Sequence, residues 1–162
     1  MARGKKQILG VISDTHGLLR PEVLQVFTGV NLILHAGDIG SSEVLDGLRT
    51  LAPVVAVRGN NDRDSWAKQI PEVEVVQAGD ITIYMLHNEK DLNFNPPPEK
   101  VHVVISGHSH RPHIEQRGGI LFLNPGSAGP RRFNLPISVS RLIIRNSNVR
   151  GELIELPVGR AQ

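Results

Sequence analysis

Seven side chains in this sequence have the types and the order to build a metal centre: Asp14, His16, Asp38, Asn60, His87, His108 and His110. They offer carboxylate and amide oxygens and imidazole nitrogens, with no sulfur, because the chain has no cysteine. Mixed oxygen and imidazole donors suit divalent first-row metals. Seven donors exceed one tetrahedral ion but suit two ions that share a carboxylate. Two metals about 3.5–4 Å apart can clamp the attacking and leaving oxygens of a phosphoryl centre and lower the pKa of a bound water. The missing cysteine also rules out disulfides, thiolate metal sites and cysteine nucleophiles.

The elements that must position these donors follow from the apolar runs. Gln7–Ser13 reads as a buried strand ending at Asp14, Asn31–His35 as a second strand running into Gly37-Asp38, and Val54–Val57 as a third ending in Arg58-Gly-Asn-Asn-Asp62. Between them, Pro21 opens one helical stretch and Ser41 or Ser42 can cap another. Strand, helix, strand, helix, strand argues for right-handed βαβ units and a parallel sheet. The second half changes to short strands: Val73–Gln77, Ile81–Leu86, Val101–Ser106, His113–Gln116 and Ile120–Leu123, then a hairpin of Ser138–Arg145 and Asn148–Leu156. Each polar cluster therefore begins at the carboxyl end of an apolar strand, the edge where open α/β sheets bind ligands.

Asp-Thr-His, Gly-Asp, Gly-Asn-Asn-Asp, a histidine after a strand, and Gly-His-Ser-His, in this order, resemble the calcineurin-like metallophosphoesterase superfamily. The size and the trailing Asn124-Pro-Gly-Ser127 are similar to its compact phosphodiesterase branch, to which a eukaryotic retromer scaffold subunit is related. The resemblance runs from about Gln7 to Arg131. It implies a four-layer α-β-β-α sandwich of two mixed β-sheets flanked by helices. It implies one metal on Asp14, His16, Asp38 and His110, and a second on Asp38, Asn60, His87 and His108, with Asp38 bridging. Manganese is the expected ion, with iron, nickel, cobalt or zinc as alternatives. Two divalent ions carry four positive charges, while Asp14, Asp38 and a bridging hydroxide carry three negative ones, so a monoanionic phosphodiester balances the site. The implied reaction is in-line attack of that hydroxide on phosphorus. The competing class is a non-catalytic metal-binding scaffold for protein interactions, a role that has no need of a complete donor set.

Asn61, Asp62 and His108 are the residues expected to serve catalysis directly. The family's asparagine motif usually continues with histidine, which helps the leaving group depart; Asn61 can donate a hydrogen bond but is no general acid near pH 7. Asp62 either orients a metal histidine through its free ring nitrogen or shapes a turn. Asn88 replaces the family's usual glycine, and asparagine tolerates left-handed backbone angles better than most residues.

The remaining notable residues have plainer readings. His35 and His102 lie inside apolar strands and are expected to be packed and hydrogen-bonded, and His113 to lie at the surface or beside the ligands. Asn124–Ser127 should shape a turn, Trp66 and Phe94 should pack, Arg131 and Arg132 should be exposed, and Pro96–Pro98 should stiffen a surface loop.

At 162 residues the chain fits one domain, 1–162, with a sizeable core. The start, Met-Ala-Arg-Gly-Lys-Lys, lacks the apolar stretch of a secretory signal, which points to a cytoplasmic protein, and no run is long enough to span a bilayer. A net charge of +2 with 4% aromatics argues against a stable nucleic-acid complex and leaves a small phosphoester as the expected partner. A homodimer is a family-level expectation.

Overall fold

The computed structural model describes residues 6–94 and 97–158. Asn95 and Pro96, part of the expected proline loop, lie outside the described residues. Two five-stranded sheets form the body. The first contains β1 (Gln7–Ile12), β2 (Leu32–His35), β3 (Val54–Ala56), β9 (Ser138–Arg145) and β10 (Asn148–Glu155), in the order β10-β9-β1-β2-β3. The second contains β4 (Val73–Ala78), β5 (Ile81–Leu86), β6 (Val103–Ile105), β7 (His113–Arg117) and β8 (Ile120–Asn124), in the order β4-β5-β6-β8-β7. Both are mixed: β1, β2 and β3 run parallel, as do β5, β6 and β8, and the hairpin partners run antiparallel.

Alternation of side chains along each strand builds the layers. Leu9 and Val11 of β1 and Leu34 of β2 meet Ile83, Met85, Val103, Ile105, Leu121 and Leu123 of the opposite sheet in a central apolar layer. The intervening Ile12 and Ile33 face outward onto Val23 and Phe27 beside α1 (Pro21–Val26) and onto Leu45 and Leu48 of α2 (Ser42–Arg49). On the far side of the second sheet, Tyr84, Leu86, Val104 and Phe122 are covered by Leu92 and Phe94. The helical layer there consists of two single 3₁₀ turns, Glu89–Asp91 and Pro98–Lys100, so the two flanking layers are unequal.

The structure adds three local details to the sequence reading. Helix α1 ends at Val26, before Gly29, which takes φ 88°. Ser41 occupies the N-cap position of α2, but its hydroxyl makes no capping hydrogen bond. The C-terminal hairpin, whose location the strand pattern left open, pairs β9 with β1 in the register Leu9↔Leu142 and so places β1 at the centre of the first sheet. A strand with neighbours on both sides is the most constrained position for the loop that carries Asp14 and His16. Among the described residues no helix is long and apolar enough to cross a membrane.

Candidate metal centre

The loops leaving β1, β2, β3, β5 and β6 meet at one end of the two sheets. Backbone hydrogen bonds lace them: Asp14 N donates to Gly37 O at 2.9 Å, His16 N to Asp38 O at 3.0 Å, and Gly107 N to His87 O at 2.8 Å. Asp14 is fully buried there, and its Oδ1 lies 3.2 Å from His110 Nε2, 3.7 Å from His16 Nε2 and 3.9 Å from His87 Nε2. Asp38 Oδ2 lies 3.3 Å from His87 Nε2 and 3.9 Å from His16 Nε2. Two trios thus form, Asp14–His16–His110 and Asp14–Asp38–His87. They share Asp14, and Asp38 stands between His16 and His87.

The donor set fits divalent cations on two observations. Asp14 Oδ1, His16 Nε2 and His87 Nε2 are buried and have no hydrogen-bond partner, and Asp14 belongs to both trios while His16 and His87 belong to one each. Buried polar atoms are rarely left so, and a cation in each trio would satisfy them. In addition, His87 Nδ1 lies 2.8 Å from the Ala36 carbonyl, which accepts only from a protonated nitrogen. That contact fixes the tautomer and leaves the Nε2 lone pair aimed inward, the usual arrangement behind a metal histidine.

The electrostatics agree. Burial alone would raise the Asp14 carboxyl, but the neighbouring imidazoles of His110, His16 and His87 outweigh it and hold the group well below the ordinary carboxylate range. Asp38 is likewise held below its ordinary value, against its burial, by His87 and the Asn61 backbone amide. His87 is raised in spite of burial, chiefly by Asp38 and then by Asp14. These carboxylates stay ionised, as ligands must.

Left-handed backbone is concentrated at the site, with Phe133 and Asn146 the other non-glycine cases among the described residues. Asp14, His16, Asp38, His108 and His110 all take left-handed φ values, between 47° and 70°. The left-handed region costs a non-glycine residue roughly 1 kcal/mol or more, and such residues cluster at functional sites. Two glycines allow the loops to close. A Cβ at Gly59 would strike the Asp38 carboxylate and backbone, and one at Gly107 would strike Ser13 Oγ.

The other expected site residues fall at the margin. Asn60 and His108 are exposed and line a groove beside His87; the His108 ring stands edge-on to that of His87 with centroids 5.2 Å apart. Asn61 is exposed too, but its backbone N and side-chain Nδ2 donate to the two Asp38 oxygens at 2.9 and 3.0 Å. Asp62 does not orient a histidine. Its carboxylate accepts from the backbone amides of Ile39, Gly40 and Gly59, which fastens the β2 loop to the β3 loop. Asn88 is extended, at φ −115°, so no left-handed angle is required where the family has glycine.

His35 is buried, donating through Nε2 to Thr15 Oγ1 and accepting at Nδ1 from Gly37 N. His102 accepts from Thr82 N, and exposed His113 pairs with Glu115. Trp66 and Phe94 pack. Arg132 is exposed, but Arg131 is half-buried and donates to Leu135 O.

Several supporting residues carry no sequence signal as site residues. Ser13 Oγ donates to Asp14 Oδ2 at 2.6 Å. Asn124 Nδ2 donates to Gly107 O at 2.9 Å, and Ser127 Oγ to Asp14 O at 3.1 Å, so the Asn-Pro-Gly-Ser turn ties the histidine loop and the first aspartate loop together. Arg20, buried, donates to the carbonyls of Ala128 and Gly129. Only Asn124–Ser127 was visible as a motif, and it reads as a turn.

Residues 8–147 match the model of the calcineurin-like phosphoesterase superfamily domain. A probable metallophosphoesterase of Methanocaldococcus jannaschii is 39% identical, over 76% of this chain and 69% of its own length. A phosphodiesterase of the same organism is 29% identical, over 73% of this chain and 82% of its own. Among solved structures, the vacuolar protein sorting 29 protein of Cryptosporidium parvum shares the fold with a TM-score of 0.79 at 22% identity, over 96% of this chain and 94% of its own. With the loop geometry and the family match in agreement, the chain belongs to the calcineurin-like phosphoesterase superfamily.

Proposed function

We propose that this chain is a single-domain phosphodiesterase that works with two divalent ions, manganese foremost, in the cytoplasm. The observation that carries the reading is the convergence of unpartnered Asp14 Oδ1, His16 Nε2 and His87 Nε2 in a buried cleft, with Asp38 and His110 beside them. A scaffold would not need to keep these donors buried and ionised. The similarity to a phosphodiesterase supports the diester, as does the balance of charge in the site.

In this reading Asp14, His16, Asp38 and His110 would hold one ion, and Asp38, Asn60, His87 and His108 the other, with Asp38 shared. Bound there, the ions would supply a hydroxide nucleophile at neutral pH and neutralise charge on phosphorus oxygens. The chain's own residues do the rest. Ser13 and the His108 backbone N–H hold Asp14 Oδ2, so that Oδ1 faces the cleft. Asn61 steadies Asp38. Overall, water adds to phosphorus, the P–O bond to one alcohol breaks, and that alcohol leaves with a proton, giving a monoester. No general acid lies at the position of Asn61, so diesters with good leaving groups should react fastest.

The test is turnover of bis(p-nitrophenyl) phosphate and of p-nitrophenyl phosphate with added manganese. The diester should be cleaved, and Asp38→Ala should abolish both cleavage and tight metal binding. Stoichiometric metal binding without turnover under any divalent ion would leave the scaffold reading in place.

A further inference from the structure

The groove beside the metal centre has a lining that points to a kind of substrate. It has a volume of about 280 Å³ and shares Asn60, His87 and His108 with the candidate metal centre. Its other lining residues include Val73, Leu86, Glu72, Arg58 and Asp91. Sites that enclose whole drug-sized ligands occupy roughly 300–1,000 Å³, so this one suits a single small ester group and not a polymer. Val73 and Leu86 give it an apolar wall, while Asn60 and Asn88 give it neutral amides. Among the described lining residues Arg58 is the one permanent cation, and it is committed: its guanidinium donates to Glu72 Oε1 at 3.2 Å and to Ile70 O at 3.4 Å. Asp91 has no such counter-charge in the groove. The lining therefore carries two carboxylates against one guanidinium, a net charge of −1 with the histidines neutral.

We infer that this groove holds one ester group of the phosphodiester, and that it selects an uncharged, part-apolar group such as a nucleoside over one bearing a second phosphate. The inference rests on the proposed hydrolysis. The metal centre would attract the scissile phosphate, while the groove's net negative charge, carried by Asp91 once Glu72 and Arg58 pair, repels a further anion. If the groove takes the ester group that stays on phosphorus, a monoester leaves it empty, so diesters should be favoured at the same centre. Because the groove is open to water, the repulsion is screened by salt and is greatest at low ionic strength.

The experiment compares thymidine 5′-(p-nitrophenyl phosphate) with the same diester carrying a 3′-phosphate, at low ionic strength. Two readouts are followed: p-nitrophenolate release by the manganese-loaded protein, and the methyl signals of Val73 and Leu86 in the diamagnetic zinc-loaded protein, in the cold and before turnover accumulates. Both methyl groups should shift with the uncharged thymidine diester, and the 3′-phosphate should weaken binding roughly tenfold. Asp91→Asn should narrow that gap, and Asp91→Asn with Glu72→Gln, which frees Arg58, should close or reverse it. Equal or tighter binding of the 3′-phosphorylated diester by the unaltered protein overturns the inference, as does turnover without any shift at Val73 and Leu86. Methyl shifts without p-nitrophenolate release under any divalent ion would instead overturn the hydrolytic reading and leave the groove's selectivity standing. Absence of both overturns both.

Discussion

His35 shows how a single side chain serves the site without touching a metal. It is fully buried, joins the Thr15 hydroxyl to the Gly37 amide, and so ties the β1 loop to the β2 loop. Burial pushes its pKa down to about 4, against the partial pull of Asp14 and Asp62. The unfolded chain therefore takes up a proton on this residue before the folded protein does, as pH falls below its ordinary value of 6.5. His35 costs no stability above that value, and stability falls as pH drops from 6.5 towards 4. A shift of this size corresponds to about 3 kcal/mol. The raised His87 acts above this window, where its stabilising charge is lost as pH rises past its folded pKa. The lowered Asp14 and Asp38 act below their ordinary value of 3.8. Urea midpoints of the metal-free protein should thus fall between pH 6.5 and 4, and His35→Gln should flatten that slope while lowering stability at pH 7. An unchanged slope in the variant would show that His35 is not the titrating group.

At the scale of elements, the site depends on how closely loops from different strands approach. Five strand ends deliver donors into one cleft, and the β2 and β3 loops are locked by the three amides that Asp62 accepts. Gly59 sits in that lock, where any Cβ would meet the Asp38 carboxylate. Gly59→Ala should force the loops apart, destabilise the protein by about 1–3 kcal/mol and weaken metal binding. Chemical denaturation and calorimetric metal titration would measure the two effects separately. The sequence pattern showed the strands before these loops and the donors at their ends, because apolar runs and polar clusters alternate plainly. It did not show that Asp62 faces amides in place of a histidine, since both uses require the same residue in the same turn.

At the scale of the molecule, two mixed sheets packed on one apolar layer form a rigid base, and the strained loops project from one end. Five of the proposed ligand residues take left-handed conformations, which raise the energy of the metal-free protein, and metal binding to the folded form would offset that cost. At a free metal concentration of about 100 times Kd, one site stabilises by about 2.7 kcal/mol. For a chain of this length that is roughly 5–10 °C in thermal midpoint. Chelation followed by re-addition of manganese, monitored by scanning calorimetry, should show a reversible shift of that order. A midpoint indifferent to chelator and metal would be incompatible with the proposed centre.

The sequence by itself determined the layered α/β class, the order of most strands and the placing of seven candidate donors at strand ends, because hydrophobic period and donor chemistry are local properties. Tertiary structure alone decided where the C-terminal hairpin docks: pairing with β1 joins residues more than 120 positions apart, which no local pattern encodes. It also decided that Asn61 turns to Asp38, that Asp62 and Asn124 brace loops, and that Arg58 is tied to Glu72 at the groove. A side chain's partner depends on which distant backbone approaches it, and that is settled only when the two sheets close on their shared core.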